Sequence, residues 1–486
     1  MAPSKEGGGL NHPANGGCTN CAQLEAEVAL LRAENERLRQ LLESSRPSNQ
    51  PPNPVATSTT TGYSAMGYES AFSRAEMQRY SRQMLVKEFG ADAQRKMRDA
   101  RVLVIGVGGL GSPVVLYLAA MGVGTLALVD DDRVDRSNLH RQVIHDEETV
   151  GEKKVASAVR RIRLINPLVQ CIAIAARFTT SNALELVTDY DVVIDASDNV
   201  GTRYLANDAC AMAHTPLVSG SAIGMEGQVT VFKFGEESTT GCYRCLYPTP
   251  PPVAPMSCAE NGVLGVVPGV IGCLQAMEAV KLVAGMGEPL VGVQCHYDAY
   301  DGQFRRIKFG NRRRPECSAC GVTRSKVLGV GFSPQLHFEG TSCSIDVQNE
   351  LEQHQQISVK DFARVRREGE PWTRDRTDRN ASSYILIDTR PPQQFGMVHF
   401  REAVNLPFDK LLKQSPTDIL DQLLGTSTAE IGQTWQDTRI YVICRRGVDS
   451  IVATRWLTES GFNHVQNVDG GYSAYAAQAD PTFPMY

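Results

Sequence analysis

The amino-acid sequence predicts an α/β protein built around a mainly parallel β-sheet, followed along the chain by a second, smaller α/β unit. At 486 residues the chain is too long for one compact domain. Between residues 68 and 323, and again after residue 352, short apolar runs alternate with helical stretches, which favours layered α/β folds. The runs that predict strands are RVLVIGV, TLALVD, CIAIAA, DVVIDAS, PLVSGSA and GQVTVFKF in the first unit, and YILIDT and RIYVIC in the second.

The N-terminal segment, residues 1–67, carries a heptad pattern and a linker composition. Leucine, valine and one asparagine occupy the a and d positions of a short coiled coil at Leu24, Val28, Leu31, Asn35, Leu38 and Leu42. So short a pattern leaves open a dimerisation helix or a lone solvated helix over residues 22–43. Cys18 and Cys21 form a pair to which the sequence assigns no role, and residues 46–66 read as a disordered linker.

Composition excludes several classes of protein. The formal net charge of −5 gives no basic field to hold nucleic acid or an anionic membrane, so we expect no direct nucleic-acid partner. There is no apolar run of about 18 uncharged residues and no hydrophobic signal core, so we expect a cytosolic protein without membrane spans.

In a reducing cytosol, metal binding or catalysis explains the 13 cysteines better than disulfides do. The basic run at 305–314 is a solvated face or a surface for an acidic partner.

A glycine-rich turn follows the first predicted strand and precedes a helix and a second strand. Gly106, Gly108 and Gly111 fit the GxGxxG spacing, which turns backbone amides and a helix N-terminus towards phosphate. Asp130 ends the second strand, where an acidic residue accepts ribose hydroxyls. Taken alone, this motif favours an NAD(P) oxidoreductase.

Polar and charged residues after the next strands shift the interpretation towards a nucleoside triphosphate. They are Asn138, Arg141, Gln142, Lys154, Asp198 and Asn199. Arg141 and Lys154 would neutralise a triphosphate, and Asp130 or Asp198 would hold ribose or Mg²⁺. A hydride-transfer site needs no such cluster of cations.

Four motifs in this region, VIGVGGLGSPVVLYLAAMGVG, SNLHRQ, SDN and GCLQAMEAVK, resemble in sequence and order the adenylating domain shared by MoeB, ThiF and the ubiquitin-activating enzymes. The resemblance covers roughly residues 70–323 and implies adenylation of the C-terminal glycine of a ubiquitin-like protein, with release of pyrophosphate. It implies catalytic roles for Arg82 and Asp198, with Arg82 reaching the phosphates from the partner subunit of a homodimer. The ATP-binding residues that it implies are Gly109, Asp130, Ser137, Asn138, Leu139, His140, Arg141, Lys154, Asp198 and Asn199.

Two cysteine pairs within the first unit have metal-ligand spacing. Cys242 and Cys245 are matched by Cys317 and Cys320, and four thiolates suit tetrahedral zinc. Since no ligand position is left for water or substrate, we expect one structural Zn²⁺ per subunit. The alternative is four reduced cysteines packed in turns.

Cys258 follows a proline-rich stretch that forms neither a helix nor a central strand, so we expect it on an extended loop. It is either a small apolar filler or a reactive thiol. The resemblance to the adenylating enzymes favours the thiol, since a cysteine ahead of the GVLGVVPGVIG run meets the activated carboxylate there.

The C-terminal unit holds a second candidate nucleophile, Cys444. It ends an apolar strand and precedes a glycine-containing loop and a helix, whose amides lower a thiol pKa and stabilise a bound anion or persulfide. Residues 352–486 resemble a rhodanese domain, with matching positions at Asp388, Arg390, Asn405, Pro407 and Gly470.

A phosphatase loop would need an arginine at position 450, which is a serine. Asp449 stands where rhodanese loops commonly end in arginine, which should disfavour thiosulfate and favour a protein persulfide donor such as that of a cysteine desulfurase.

An adenylating domain joined to a rhodanese domain resembles one eukaryotic family of combined adenylyltransferases and sulfurtransferases. The resemblance implies that ATP with Mg²⁺ activates sulfur carriers ending in Gly-Gly: the small molybdopterin-synthase subunit and the ubiquitin-related modifier. The Cys444 persulfide would attack the acyl-adenylate, and Cys258 would form a thioester or resolve an acyl-disulfide to leave a thiocarboxylate. These products would serve molybdenum cofactor synthesis and 2-thiolation of the tRNA wobble uridine.

The predicted domain boundaries are an N-terminal helix and linker over 1–67, an adenylating domain over 68–323, a linker over 324–351 and a rhodanese domain over 352–486. Two alternatives remain at this point: an NAD(P) oxidoreductase with a regulatory rhodanese module, and a non-catalytic scaffold for a ubiquitin-like protein.

Overall fold

The computed structural model describes residues 70–234, 240–250, 262–309, 313–321, 351–371, 383–415, 418–419 and 439–484. The predicted coiled-coil helix, the Cys18–Cys21 pair and Cys258 lie outside these residues.

The first α/β unit is built on one eight-stranded sheet within the described residues. Its strands are β1 (Arg101–Ile105), β2 (Thr125–Val129), β3 (Gln170–Ile174), β4 (Val192–Asp195), β5 (Leu217–Ile223), β6 (Glu226–Phe232), β7 (Val293–Asp298) and β8 (Gln303–Lys308). Their order is β3-β2-β1-β4-β5-β6-β7-β8, with parallel pairing from β3 to β5 and antiparallel pairing from β5 to β8. The predicted parallel sheet is confirmed, and the antiparallel half extends it.

Helices cover both faces of this sheet. They are α1 (Arg74–Met84), α2 (Gly90–Asp99), α3 (Gly111–Met121), α4 (Lys154–Ile165), α5 (Ala183–Thr188), α6 (Val200–Ala213), α7 (Tyr243–Leu246) and α8 (Val266–Ala284). Alternate residues of β1 enter separate cores, because Val102 and Val104 pack with residues of α3, α4 and α8, whereas Leu103 and Ile105 pack with those of α5 and α6. The central strand is therefore apolar on both faces, as the RVLVIGV run indicated.

Helix α8 is long and apolar enough to cross a membrane, but it packs inside the α/β unit. It contacts α3 and β5 and buries Ile271, Gln275 and Ala279. Its central Glu278 is also buried and accepts a hydrogen bond from the backbone N–H of Leu290 at 2.8 Å. These contacts are those of a core helix.

The C-terminal unit has a second, parallel sheet. Its strands are β9 (Gln356–Ile357), β10 (Glu370–Pro371), β11 (Ser383–Asp388), β12 (Ala403–Asn405), β13 (Arg439–Ile443) and β14 (His464–Val468), in the order β10-β11-β13-β14-β9, with β12 paired to β11. Its helices are α9 (Val359–Glu368), α10 (Pro392–Met397), α11 (Phe408–Leu411), α12 (Val448–Glu459) and α13 (Gly471–Gln478). Ile440 and Val442 of β13 pack against α12, whereas Tyr441 and Ile443 pack against α9 and α13. The predicted second α/β layer structure is confirmed.

Asn166 joins three helices of the first unit. It is fully buried, and its Nδ2 donates to the hydroxyl of Tyr80 in α1 at 2.8 Å and to the carbonyl of Ala119 in α3 at 2.7 Å.

We predict that Asn166→Ala lowers the local unfolding free energy by about 1–3 kcal/mol, because two buried groups lose their donor. Hydrogen exchange of α1–α4 peptides in the full chain, over a urea series, measures this effect.

The matched control is Gln170→Ala, which truncates an exposed amide at the start of β3. We expect it to change the same free energy by about 0.5 kcal/mol or less. Equal effects of the two substitutions would contradict the role of Asn166.

Candidate functional site

The glycine turn after β1 is shaped by close backbone contacts. Gly106 has a φ of 92°, and a Cβ there would lie 2.9 Å from the carbonyl oxygen of Ala196. A Cβ on Gly111 would lie 2.1 Å from the carbonyl oxygen of Gly106. Only glycine fits both positions, so the turn packs against the end of β4 and brings the N-terminus of α3 to the sheet edge.

Asp130, directly after β2, stabilises this turn through hydrogen bonds to its carboxylate. Its Oδ2 accepts the backbone N–H of Val107 at 2.8 Å, and its Oδ1 accepts that of Asp132 at 2.9 Å. Both ribose recognition and loop support suit a carboxylate in this place. The sequence pattern predicted the first role and missed the second.

The SNLHR residues lie beside the turn. Ser137 and Asn138 belong to a 3₁₀-helix, Arg136–Asn138, that Asp135 caps, and Leu139, His140 and Arg141 follow it. Arg141 donates to Asn138 Oδ1 at 2.6 Å, and its Cγ lies 3.5 Å from a Cβ built on Gly109. Burial, together with the neighbouring Arg141 charge, lowers the pKa of His140, so this imidazole is neutral near pH 7.

Lys154 begins α4 with a buried side chain, and its Nζ lies 2.8 Å from Asp132 Oδ2. The carboxylate partner is mostly exposed, so the ammonium is held at the sheet edge with one charge partner. A triphosphate bound here would compete with Asp132 for this cation.

The residues after β4 occupy the same edge of the sheet. Asp198 is exposed, whereas Asn199 accepts the backbone N–H of Thr202 at 3.1 Å and caps α6. Arg82 is exposed in the last turn of α1.

Asp195 is a buried carboxylate that sequence reasoning missed. It is fully buried at the end of β4 and accepts hydrogen bonds from Ser197 Oγ at 2.6 Å, Ser219 Oγ at 3.1 Å and Arg203 Nε at 3.2 Å. Gln275 of α8 donates to its backbone carbonyl at 2.7 Å. An aspartate that ends an apolar strand was the available signal, but its partners come together only in the fold.

His145 is a second missed residue. The buried imidazole lies 3.1 Å from the carbonyl oxygen of Val107 through Nε2 and 2.9 Å from Ser157 Oγ through Nδ1. Burial lowers its pKa, so a neutral ring links the glycine turn to α4.

The two cysteine pairs come together in one buried cluster. The four sulfur atoms of Cys242, Cys245, Cys317 and Cys320 all lie within 4.8 Å of one another. The Sγ–Sγ distances of 3.7 Å from Cys242 to Cys317 and 3.5 Å from Cys245 to Cys320 are close to the edge of about 3.8 Å of a tetrahedron with Zn–S bonds of about 2.3 Å. The donor set and its spacing therefore fit zinc.

Groups around the cluster orient the sulfur atoms. The N–H of Arg314 donates to Cys245 Sγ at 3.4 Å, and Asn207 Nδ2 donates to Cys242 Sγ at 3.7 Å. Hydrogen bonding to Cys245 raises the pKa of Cys242, whereas hydrogen bonding from Cys242 lowers the pKa of Cys317 to about 6. A bound cation would favour the thiolate form of all four side chains.

Cys444 lies directly after β13 and is buried. The N–H of Gly447 donates to its Sγ at 3.1 Å, and Ser450 Oγ lies 3.3 Å away. Burial raises the pKa of the Cys444 thiol, and the Ser450 hydrogen bond acts in the opposite direction. The loop leads into the N-terminus of α12, as the sequence predicted.

The glycine pair at the start of α13, Gly470 and Gly471, fixes the conformation of this loop. The N–H of Tyr472 donates to the carbonyl of Cys444 at 3.0 Å, and a Cβ on Gly471 would lie 2.2 Å from the same oxygen. Gly447, with φ 89°, lies against Gly470, with φ 68°; a Cβ on Gly447 would approach the Gly470 nitrogen to 2.7 Å. The loop conformation therefore depends on this close approach.

Asp388 and Arg390 support the loop from the end of β11. Both are fully buried, and Arg390 Nη2 lies 2.6 Å from Asp388 Oδ2. The guanidinium also stacks on the Tyr472 ring at 3.8 Å, and Asn405 Nδ2 donates to the Arg390 carbonyl at 2.8 Å. Pro407 is the N-cap of α11.

Both halves of the chain match known protein families. The ThiF family matches residues 80–319, and the rhodanese-like domain matches residues 372–478. The fold and the two sites thus define an adenylating domain of the ThiF type joined to a rhodanese-like domain.

Relatives named for both activities match nearly the whole chain. Adenylyltransferase and sulfurtransferase MOCS3 of Oryza sativa subsp. japonica is 36% identical, covering 99% of this chain and 100% of the relative. The protein of the same name from Sus scrofa is 39% identical, covering 95% of this chain and 98% of the relative. The chain belongs to this MOCS3 family of adenylyltransferases and sulfurtransferases, and it is an enzyme. The oxidoreductase and scaffold alternatives do not match this family.

A solved structure, that of E. coli MccB with MccA-N7isoASN, is similar over 50% of this chain and 74% of that chain, at 25% identity and a TM-score of 0.45.

We predict that the full-length protein binds one zinc ion per chain. We expect Cys317→Ser to remove it, because the substitution leaves three of the four thiolate ligands. Metal analysis of purified protein, with the metal-to-chain ratio as readout, checks this. Cys273→Ser is the matched control, since that exposed thiol lies outside the cluster. Wild-type protein that holds no zinc after reconstitution, or a Cys317→Ser variant that keeps it, would contradict the assignment.

Proposed function

We propose that the enzyme adenylates the C-terminal glycine of ubiquitin-like sulfur carriers ending in Gly-Gly and then converts that carboxylate to a thiocarboxylate. The carriers are the small molybdopterin-synthase subunit and the ubiquitin-related modifier, and their products serve molybdenum cofactor synthesis and 2-thiolation of the tRNA wobble uridine. The observation that carries the proposal is the presence in one chain of a glycine turn flanked by cations and of a buried cysteine in an amide-lined loop.

In the first half-reaction, ATP binds at the edge of the first sheet. Gly109 and the helix N-terminus after the glycine turn face the phosphates, and Asp130 holds the ribose. Arg141 and Lys154 offset the phosphate charge, Asp198 would hold Mg²⁺, and Asn199 lies beside it. Ser137, Asn138, Leu139 and His140 complete the pocket. The glycine carboxylate attacks the α-phosphorus, the bond to the bridging oxygen breaks, and pyrophosphate leaves.

In the second half-reaction, the outer sulfur of the Cys444 persulfide attacks the acyl carbon and AMP leaves, which gives an acyl-disulfide on Cys444. The Cys258 thiolate then attacks Cys444 Sγ, so that a Cys258–Cys444 disulfide forms and the thiocarboxylate leaves. A cellular thiol reductant restores both cysteines. A thioester between Cys258 and the carrier is the other route that we consider for this residue.

A homodimer would complete the nucleotide site, with Arg82 of each subunit reaching the phosphates bound by the other. An apolar stripe on one exposed side of α8 supports this proposal, because Val266, Cys273 and Met277 repeat there at helical spacing. Exposed Leu264 and Tyr117 are also apolar. The zinc cluster holds two distant segments of each subunit together and has a structural role, since all four positions are protein ligands.

We further propose the domain boundaries 1–67, 68–323, 324–351 and 352–486, a cytosolic location, and a protein persulfide such as that of a cysteine desulfurase as the sulfur donor.

Pyrophosphate release that depends on the carrier tests the first half-reaction. We predict that Asp198→Ala lowers its rate on the order of 100-fold, because a group at the reacting phosphates is lost. Asp189→Ala, which removes another exposed carboxylate of the same domain, should leave the rate unchanged. Carrier-independent release, or nucleotide titration that shows binding of NAD but not ATP, would contradict the proposal.

The donor preference of Cys444 tests the role of Asp449, an exposed carboxylate in the first turn of α12. We predict faster sulfur transfer from a protein persulfide than from thiosulfate, because the carboxylate repels the dianion. Asp449→Asn should raise thiosulfate transfer by about tenfold, with less effect at high salt. Glu459→Gln, at the other end of α12, is the control. A marked wild-type preference for thiosulfate would overturn the donor assignment.

A further inference from the structure

Three buried polar side chains lie where α12 packs on β13 and β14, one of them beside Cys444, and the chemistry described above uses none of them. Ser450 is the first of them. It is fully buried, and its Oγ lies 3.3 Å from Cys444 Sγ, which also accepts the N–H of Gly447. A hydroxyl in this place donates to a thiolate and stabilises its charge.

Two further polar residues share the face that Ser450 occupies. Thr454 lies one turn further along α12, so it projects on the same side of the helix. Asn467 of β14 is in register with Val442 and follows Val465 by two residues, and both valines pack in the core that α12 closes. Asn467 therefore projects towards α12.

Neither of these side chains has a hydrogen-bond partner among the described residues. Thr454 Oγ1 and both side-chain amide atoms of Asn467 are buried and unpaired, and both residues are fully buried. Each unpaired group costs about 1–3 kcal/mol, which apolar residues of the same shape would avoid. Polar groups in this place are explained if they stabilise a buried negative charge.

Charged and titratable groups lie on each element around Cys444. They are Arg445 and Arg446 of its loop, Asp449 in the first turn of α12, Asp388 at the end of β11, Arg390 after it, Asp469 before α13 and Tyr472 within α13. Burial raises the pKa of the Cys444 thiol and Asp449 adds to the rise, whereas Ser450 and backbone amides oppose it. The thiolate fraction at neutral pH thus depends on the hydrogen-bond donors at the sulfur.

We propose that Ser450 is a positioning residue that stabilises the thiolate form of Cys444 by donating a hydrogen bond to its sulfur, and that Thr454 and Asn467 form a polar floor that adds to this stabilisation. The thiolate attacks the outer sulfur of a donor persulfide. The new S–S bond forms as the donor S–S bond breaks, and the donor leaves as a thiolate. Cys444 gives its proton to solvent beforehand, so atoms and charge balance. This inference rests on the proposed role of Cys444 as the sulfur carrier.

The test is the pH dependence of Cys444 alkylation by iodoacetamide in the full-length protein, with peptide mass spectrometry as readout. We expect Ser450→Ala to move the midpoint upwards by about one pH unit, which is about a tenfold slower reaction below the midpoint. Ser450→Thr keeps the hydroxyl and should restore the wild-type midpoint. Thr458→Ala removes a hydroxyl two turns further along α12 and should leave the midpoint unchanged. Asn467→Leu should also raise the midpoint.

An unchanged midpoint in a folded Ser450→Ala variant would overturn the positioning role, and an unchanged midpoint in Asn467→Leu would overturn the polar floor. Sulfur loading from cysteine persulfide, measured on the same variants, separates this inference from the proposed function. If wild-type Cys444 takes up no sulfur, the carrier role fails even where the alkylation midpoint shifts. If wild-type Cys444 loads and Ser450→Ala loads with the same pH profile, only the present inference fails.

Discussion

Parallel strand register is the constraint on which both sites depend. In the first sheet, Ile105 of β1 is in register with Val129 of β2 and with Asp195 of β4, so the three strands end at one edge. In the second sheet, Asp388 of β11 is in register with Ile443 of β13. Because each chain segment turns away from the sheet at this point, backbone amides and polar side chains from separate strands meet there.

Buried charge then fixes the geometry of each edge. In the first domain, Asp195 joins β4, β5 and α6 through Arg203 and Ser219. In the second, Asp388 and Arg390 stand behind the Cys444 loop. Pairs of this kind add little net stability, but breaking one leaves an uncompensated buried charge, so they disfavour alternative packings of the loops.

The sequence carried the information for features that depend on local spacing. The glycine turn, the strand that ends in Cys444 and the two cysteine pairs were all predicted, because a turn, a strand end or a ligand pair is encoded within a few residues. The meeting of Cys242 with Cys317 was a hypothesis from stoichiometry that the cluster geometry supports. Asp195 and His145 were missed because their partners are distant in sequence.

The last two strands of the first sheet, β7 and β8, were not predicted from the sequence. β7 and β8 alternate weakly, and β8 is exposed along its length, so no apolar run marks them. The basic residues Arg305, Arg306 and Lys308 fall on this exposed strand, which agrees with a solvated face. Cys258 remains a prediction, since its residue lies outside the part of the chain that the structure describes.

The central claim is that one enzyme activates a carrier glycine with ATP and then supplies its sulfur from Cys444. Intact-mass analysis of each carrier, after incubation with the wild-type enzyme, ATP and a persulfide donor, tests it most directly. The account predicts the mass increase of one oxygen-to-sulfur exchange with wild-type enzyme, and no such product with Cys444→Ala when free sulfide is excluded. Thiocarboxylate formed by Cys444→Ala under those conditions would contradict it.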